Sequence, residues 1–444
     1  MSKSLILVVA LTGALGIGTI HAGDWSRFRG PNGSGISPDK APPQKWSDSQ
    51  NLRWKLELPG PGLSSPIVVA GRVFVTAWSG YGVDRRDPGD QENLERHLVC
   101  VDRQTGKKLW SRSVEPYLPE DRYRGMFAQH GYASHTPVSD GERVWVFFGK
   151  TGVIAYDLDG KKLWSKSVGT GSGIRGWGSA SSPIVHGDLV VVTASAESEA
   201  MIALDKKTGE QVWRQEGDFG GTWGTPIIAD SGGGDDELVI AVPYEIWGLN
   251  PKTGKLRWYC DGIPSDSMCA SPVVSDGVVY AVGGRGGGTI AVKVGGRKDV
   301  NKTHVRWTGR DRGRIGTPVV VDGRMYWVSG KVVTCVDAKT GERIYQSRLE
   351  GSGGSRSGGD EGGRRGGRGF GGGQDYSSLV VAGGKGYYVS RSGDAYVFRL
   401  GGEFEQLAHN RFSDGGEFSA TPAVSDGELF IRSSKYLYCV GKKR

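Results

Sequence analysis

The stretch HLVCVDRQTGKKLW, residues 97–110, recurs along the chain and decides its fold. An apolar run ends in Asp, an Asp-x-x-Thr-Gly turn follows, and a second run carries Trp. Gly accepts the positive φ that such a turn needs, and the Asp carboxylate bonds nearby backbone amides. The pattern therefore predicts two paired strands in each repeat that carries it. Close versions of it end at Trp164, where the unit is one residue shorter, and at Trp213, Trp258 and Tyr345.

Each repeat opens with a Ser/Thr-Pro step, or a near variant, and a short β-branched run. The eight starts are marked by Pro66, Pro137, Pro183, Pro226, Pro272, Pro318, Leu379 and Pro422. Five of the seven intervals are 43 to 46 residues long, which is the period of a propeller blade made of four strands. We therefore predict an all-β fold, an eight-bladed β-propeller with tryptophan-docking repeats.

The two ends of the chain complement each other. The last repeat, which ends in KYLYCVGKKR (435–444), supplies only three strands, and the missing Trp-bearing strand is NLRWKLEL (51–58). An open ring would leave unpaired strand edges, which invite aggregation. We predict that this N-terminal strand joins the C-terminal blade and closes the ring, so that the propeller covers residues 51–444.

These repeats resemble those of the PQQ-like (pyrroloquinoline quinone), quinoprotein alcohol dehydrogenase-like eight-bladed propellers. The resemblance spans roughly residues 51 to 444. Within that superfamily, DWSRFRGPNGSGIS (24–37) and GWGSASSPI (176–184) resemble exported repeat proteins related to the outer-membrane assembly factor BamB. The resemblance is specific for the fold and unspecific for the function.

The first 22 residues resemble a secretory signal peptide, with a Lys, an apolar core and a small-residue exit at Ala22. A retained membrane anchor is the alternative, but the apolar core is shorter than the ~20 residues that span a bilayer. We predict cleavage after Ala22, an N-terminal extension over residues 23–50, and a periplasmic or secreted protein without a transmembrane segment. The first Cys is Cys100, so a BamB-like acylated N-terminus cannot form and a lipoprotein is not expected.

The positions of the five cysteines favour structural roles over catalytic ones. Cys100, Cys335 and Cys439 occupy the same third-strand position of different repeats, which predicts buried thiols. Cys260 and Cys269 flank a short connection, and whether they form a disulfide stays open because the sequence does not give their geometry.

Redox and metal chemistry lack their usual motifs in this sequence. The resemblance to PQQ-dependent dehydrogenases would imply an adjacent Cys-Cys pair and a calcium-binding acidic constellation, and neither is recognisable here, nor is a Cys-x-x-Cys-His haem site. His130 and His135 lack a third ligand at a zinc-like spacing, so we predict no metal. We assign no catalytic residue and expect no cofactor, with PQQ plus calcium as the alternative.

Candidate binding residues lie in the connections that share one face of a propeller. A small ligand can bind where aromatic walls and a few polar groups converge, and the alternative is a water-filled channel rimmed by solvated loops. The candidates at this axial mouth are His130, His135, Arg175, Trp177, Trp223, Glu245, Asp266, Arg285, Arg314 and Arg391.

Three insertions interrupt the repeats. Two charged, Pro-containing segments, near residues 80–96 and 115–129, are expected to form a lid or a partner-docking flap. The third, the Gly/Arg-rich segment 351–374, is expected to be disordered because it cannot bury enough apolar surface. It resembles RNA-binding tails, but its few Arg residues and the predicted export argue against nucleic acid.

The sequence therefore favours an exported, non-catalytic PQQ-like β-propeller that acts as a binding or scaffold module for a protein, peptide or envelope polymer. The net charge of +8 is modest and suits either contact with acidic polymers or an ordinary solvated surface. We expect a monomer. The alternative is a PQQ-dependent oxidoreductase with an atypical site.

Overall fold

A computed structural model describes residues 23–232, 234–351 and 374–442. The predicted signal peptide (1–22) and residues 352–373 of the predicted disordered insertion lie outside the described residues, so both remain predictions. Within the described ranges, no helix combines the length and the apolar character needed to cross a membrane.

The strands form eight sheets, which are the blades of a β-propeller and are numbered here in chain order. The first strands of neighbouring blades contact one another, so they surround the axis. Blades 1 to 4 consist of Ile67–Val69, Arg72–Ser79, Glu95–Asp102 and Lys108–Val114; Val138–Ser139, Arg143–Phe147, Val153–Asp157 and Lys162–Lys166; Ile184–His186, Leu189–Ala194, Ala200–Asp205 and Gln211–Glu216; and Ile227–Asp230, Asp236–Val242, Glu245–Leu249 and Leu256–Asp261.

The remaining blades follow the same order from the axis outward, and the predicted all-β eight-bladed fold is confirmed. Blades 5 to 8 consist of Val273–Ser275, Val278–Val282, Thr289–Lys293 and Val305–Gly309; Val319–Val321, Arg324–Ser329, Val332–Asp337 and Arg343–Arg348; Val380–Ala382, Lys385–Val389, Asp394–Arg399 and Glu405–Arg411; and Ala423–Ser425, Glu428–Arg432 and Tyr436–Val440 with Leu52–Glu57 as the outer strand.

Blade 8 contains strands from both ends of the chain. Leu52–Glu57 pairs antiparallel with Tyr436–Val440, and Trp54 lies opposite Cys439. Two short strands extend other blades in parallel: Ile36–Ser37 pairs with Val380–Ala382, and Lys298–Asp299 pairs with the outer strand of blade 4. The described short 3-10 helices are Pro31–Gly33, Gln91–Asn93, Phe127–Gln129 and Gly149–Thr151.

In five blades, the repeated Trp joins its blade to the next. Trp213 of blade 3 donates its Nε1–H to the carbonyl of Pro251 at 3.0 Å, and its ring covers Gly254 in the Thr-Gly turn of blade 4. A Cβ at Gly254 would lie 2.5 Å from that ring, so glycine is needed for the close approach as well as for its φ of +70°. The same bond to a neighbouring turn is made by Trp54, Trp110, Trp164 and Trp307.

Trp258 differs from the other repeated tryptophans. Blade 5 has no Thr-Gly turn at the equivalent place, because residues 294–304 form a longer connection there. Trp258 donates instead to Glu237 Oε2 of its own blade at 2.7 Å, and both side chains are fully buried.

All five cysteines are free thiols, so Cys260 and Cys269 are not joined in a disulfide. Cys100, Cys335 and Cys439 are buried and lie opposite Trp110, Tyr345 and Trp54, which confirms their shared third-strand position.

The first two insertions pack against each other on one face of the propeller. Trp78, Tyr81, Phe127 and Tyr132 belong to one buried aromatic cluster. Arg96 and Glu120, both almost fully buried, form an ion pair at 2.5 Å beside this cluster. These contacts fix the insertions to blades 1 and 2 rather than leaving them as a detached flap.

Candidate functional site

A ring of eight hydroxyl side chains surrounds the propeller axis. In every blade, the main-chain N–H of the Ser or Thr before the first strand donates to the Oγ of the equivalent residue in the following blade, at 2.8–3.1 Å. The cycle closes where the Thr421 N–H reaches Ser65 Oγ at 3.1 Å. The hydroxyl ring consists of Ser65, Thr136, Ser182, Thr225, Ser271, Thr317, Ser378 and Thr421.

The N-terminal extension closes one end of the axis. Trp25 forms an isolated β-bridge with Val68 of blade 1, and Ile36–Ser37 pairs with the first strand of blade 7. The chain between these two anchors therefore crosses beneath the hydroxyl ring. Between these anchors, Arg27 donates to the Pro226 carbonyl at 3.1 Å, and Arg29 donates to the Thr317 carbonyl at 3.0 Å. Phe28, which lies between the two arginines, lines the axial cavity and forms its floor.

The axial cavity has a volume of about 170 Å³, and Met126 and His130, which lie on the face that carries the insertions, form part of its wall. All eight members of the hydroxyl ring line it. Of the predicted site residues, His130, Trp177, Trp223 and Arg314 line it as well. Its other walls are mostly apolar and include Leu63, Met126, Ile315 and Tyr376, together with Cys269.

A second group of predicted residues forms a cluster at the rim of this cavity. Arg175 Nη2 lies 2.8 Å from Asp266 Oδ2, and the hydrogen bond lowers the pKa of that carboxyl. Arg285 lies 4.0 Å from the same carboxylate. The guanidinium carbons of Arg175 and Arg285 are 5.1 and 5.9 Å from the Trp177 ring, which is 5.7 Å from the Trp223 ring.

Arg391 and Glu245 lie away from that cluster. Arg391 pairs with Glu417 at 2.7 Å and faces the Tyr376 ring at 5.4 Å, so it reaches the opposite part of the cavity wall. Glu245 accepts a hydrogen bond from Trp247 Nε1 at 2.5 Å and is not among the residues that line the cavity.

The two predicted histidines belong to separate networks. His130 Nε2 donates to the Trp177 carbonyl at 2.5 Å, which fixes the loop that carries this Trp. His135 Nε2 lies 3.1 Å from Ser179 Oγ, and Ser179 donates to Glu197 Oε1 at 2.6 Å. No group of three or more His, Cys, Asp or Glu residues in the described chain is arranged to hold a metal ion.

Glu197 and His135 border a small side cavity of about 20 Å³ behind the axial wall. Burial raises the pKa of Glu197 to about 7 and lowers the pKa of His135 to about 3. Glu197 Oε2 is buried and has no hydrogen-bond partner in the described protein. This carboxyl is consequently a proton-binding group in the neutral pH range, held outside the axial cavity.

The sequence contains the Ser and Thr residues of the hydroxyl ring at regular positions, but it does not show that they form a ring. A Ser or Thr precedes every marked repeat start, including Leu379, which lacks the Pro. That regularity was a detectable signal. The floor residues gave no comparable signal, because their partners in blades 4, 6 and 7 are about 200 to 350 positions away in sequence.

Comparison with known proteins places these features in context. Residues 94–347 match the family model described as outer membrane protein assembly factor BamB. The crystal structure of BamB from Moraxella catarrhalis is similar, with a TM-score of 0.59 and 13% identity over 88% of this chain and 98% of that chain. No curated protein sequence gives a significant match.

Solved dehydrogenases are similar to the same degree. A europium-containing methanol dehydrogenase gives a TM-score of 0.65 and 12% identity over 94% of this chain and 98% of that chain. The quinohemoprotein alcohol dehydrogenase from Comamonas testosteroni gives a TM-score of 0.61 and 14% identity over 95% of this chain and 81% of that chain. The predicted resemblance to PQQ-like propellers and BamB is thus confirmed, and at these identities the structural likeness concerns the fold alone.

Proposed function

Since this chain belongs to the family described as outer membrane protein assembly factor BamB, we propose that it is an exported, non-catalytic binding module that holds a protein partner on its loop-rich face. Its insertions, the rim cluster and the mouth of the axial cavity lie on this face. The proposal includes a periplasmic or secreted, non-acylated monomer. It retains from the sequence the wider possibility that the partner is a peptide or an envelope polymer.

Exposed apolar side chains on the loop-rich face carry this proposal. Ile174 is 78% exposed beside Arg175, and Tyr244 is 56% exposed in the loop that contacts Ser265. Val83, Tyr117 and Leu118 of the insertions are also exposed. Large apolar groups next to arginines and tryptophans are the composition that protein interfaces favour.

The outer strands provide a matched reference surface. Leu163 and Val212 are also exposed there, but they lie on the circumference and away from the cavity. Isolated exposed apolar residues of this kind are normal on soluble proteins. A partner that recognises the loop-rich face should be affected by changes at Ile174 and should ignore changes at Leu163.

Site-specific photo-crosslinking tests the proposed face. A photo-reactive residue replaces Ile174 or Tyr244 in one set of variants and Leu163 or Val212 in the other, and the products are identified by mass spectrometry. We expect one protein to be captured at the first two positions only. Ile174→Glu should then weaken calorimetric binding of that purified protein at least about tenfold, whereas Leu163→Glu should leave it unchanged. Equal capture at all four positions would refute the proposal.

The second candidate is a PQQ-dependent oxidoreductase, which the adjacent Trp177 and Trp223 rings favour because a planar cofactor can stack on them. The lining does not fit the calcium ion that accompanies this cofactor. Calcium prefers carboxylate and other oxygen ligands. Of the described residues that line the cavity, none is Asp or Glu.

Titration of the mature protein with PQQ plus calcium separates the two functions. Our proposal predicts that adding calcium increases neither the binding heat of PQQ nor the melting temperature. Stoichiometric binding that requires calcium and raises the melting temperature would favour the oxidoreductase, because a ligand that binds only the native state must stabilise it.

A further inference from the structure

The hydroxyl ring has donor capacity that the protein does not use. Each Oγ accepts a main-chain N–H, as described above, and this contact fixes the orientation of the side chain. A hydroxyl can donate one hydrogen bond in addition to those it accepts. None of the eight ring hydroxyls donates to another atom of the described protein, although all eight line the cavity. The axis is therefore surrounded by O–H groups that can bind an acceptor.

Three buried guanidinium groups lie directly behind this ring. Arg29 donates to the carbonyls of Thr317 and Pro318, at 3.0 and 2.5 Å. Arg27 contacts Pro226, next to ring residue Thr225, at 3.1 Å. Arg432, on blade 8, donates to Ser64 Oγ, next to ring residue Ser65, at 2.9 Å.

These three arginines are not compensated by carboxylates. They are at most 7% exposed, and none forms an ion pair with another described residue. Burial lowers the pKa of Arg27 to about 10 and the pKa values of Arg29 and Arg432 to about 9, so all three stay protonated at neutral pH. Arg27 Nε and Arg432 Nη2 also lack hydrogen-bond partners in the described protein.

These buried positive charges favour a negative group in the cavity. Arg314 lines it directly, and the described lining contains no acidic side chain. Coulomb interactions are several times stronger in such a partly enclosed, low-dielectric space than in water. A negative group at the axis would thus compensate buried positive charge and accept hydrogen bonds from the ring.

From these observations we propose that the axial cavity is a carboxylate-binding site, in which the hydroxyl ring holds the carboxylate and the Trp177, Trp223 and Tyr376 side chains contact an apolar body attached to it. This inference rests on the proposed function, because it assigns the cavity to a group presented by whatever binds the loop-rich face. The carboxylate belongs either to a protein segment or to a free small acid.

Benzoate and benzamide are the test pair, because they share size and an aromatic body and differ in charge. Binding is measured by calorimetry and by tryptophan fluorescence on the mature protein. We expect benzoate to bind at least about tenfold more tightly than benzamide, as charge-assisted hydrogen bonds imply. Equal binding, or no binding of either, would overturn the proposal, whatever the crosslinking of the loop-rich face shows.

Substitutions at Thr317 separate hydroxyl donation from general packing. Thr317→Val keeps the shape and removes the hydroxyl, whereas Thr317→Ser keeps the hydroxyl. We expect the first change to weaken benzoate binding about tenfold with little effect on benzamide, and the second to preserve both affinities. Thermal melts establish that both variants are folded. If the folded Val variant binds benzoate as the wild type does, the ring is not the binding element.

A peptide pair distinguishes the source of the carboxylate. N-acetyl-Ala-Ala-Phe is compared with the same peptide ending in a carboxamide. Tighter binding of the free acid supports a protein segment as the source. Equal binding of the two peptides, alongside a clear preference for benzoate over benzamide, supports a free small acid at the same ring.

Discussion

Gly254→Ala should destabilise the propeller by breaking the contact between a Trp and the neighbouring turn. Gly254 has a φ of +70°, and an added Cβ would lie 2.5 Å from the Trp213 ring. A left-handed conformation costs an L-residue roughly 1–2 kcal/mol. Overpacking against a fixed ring adds about 1–3 kcal/mol. The expected loss of unfolding free energy is therefore about 2–5 kcal/mol.

Gly323→Ala is a matched control for the backbone contribution. Gly323 has a φ of +69°, and a Cβ there would meet nothing within 4 Å. Its replacement should cost only the conformational part, roughly 1–2 kcal/mol. The difference between the two variants thus measures the Trp213 contact.

Calorimetric melting with guanidinium unfolding as a second probe measures both variants. An unfolding entropy of about 2.1 cal/mol/K per residue corresponds, at this chain length, to roughly 1 °C of melting temperature per kcal/mol. Gly254→Ala should therefore melt about 2–5 °C lower and Gly323→Ala about 1–2 °C lower. In a Trp213→Leu background the extra cost at position 254 should disappear. Equal losses for both Ala variants, or an unchanged cost in that background, would refute the docking argument.

Two further outcomes follow from buried titratable groups. Burial raises the pKa of Glu197 from 4.5 to about 7, so the folded state holds this proton more tightly than the unfolded chain does. The free energy of unfolding should therefore fall by roughly 3 kcal/mol as the pH rises through that interval. Glu197→Gln should lack this pH-dependent loss, and superimposable pH profiles of the two proteins would contradict the prediction. Four cysteines are fully buried, and burial raises the pKa of the fifth, Cys269, to about 11. A thiol reagent at neutral pH should therefore label at most one cysteine in the native protein and five after denaturation. Rapid labelling of two or more cysteines in the native protein would contradict the packing.

The sequence was sufficient for the blade architecture because that part of the fold is locally encoded. The Asp-x-x-Thr-Gly turn and the following Trp specify one strand pair each, and repetition specifies the ring. Trp258 shows the limit of this reasoning, since its hydrogen-bond partner depends on the missing turn of blade 5 and on Glu237. A repeat unit predicts its own conformation better than the contacts it makes with an atypical neighbour.

The structure brings together some of the residues that the sequence nominated for a site. Trp177, Trp223, His130 and Arg314 line the axial cavity, since the connections that carry them emerge on one face. The connections did not indicate that His135 would face a separate side cavity, because that depends on how the first insertions pack. The floor formed by Phe28 depends on contacts across hundreds of residues, and no local pattern encodes it.

The two roles of the hydroxyl ring explain why it suits a binding site. Accepting the neighbouring N–H fixes each side chain, so its remaining O–H needs little further ordering when a ligand arrives. Preorganised donors lose less conformational entropy on binding than mobile ones do. The floor at Phe28 restricts entry to the loop-rich face, where Arg175, Arg285 and Ile174 are presented. If a partner covers this face as we propose, it must either supply the group that enters the cavity or enclose one already bound there.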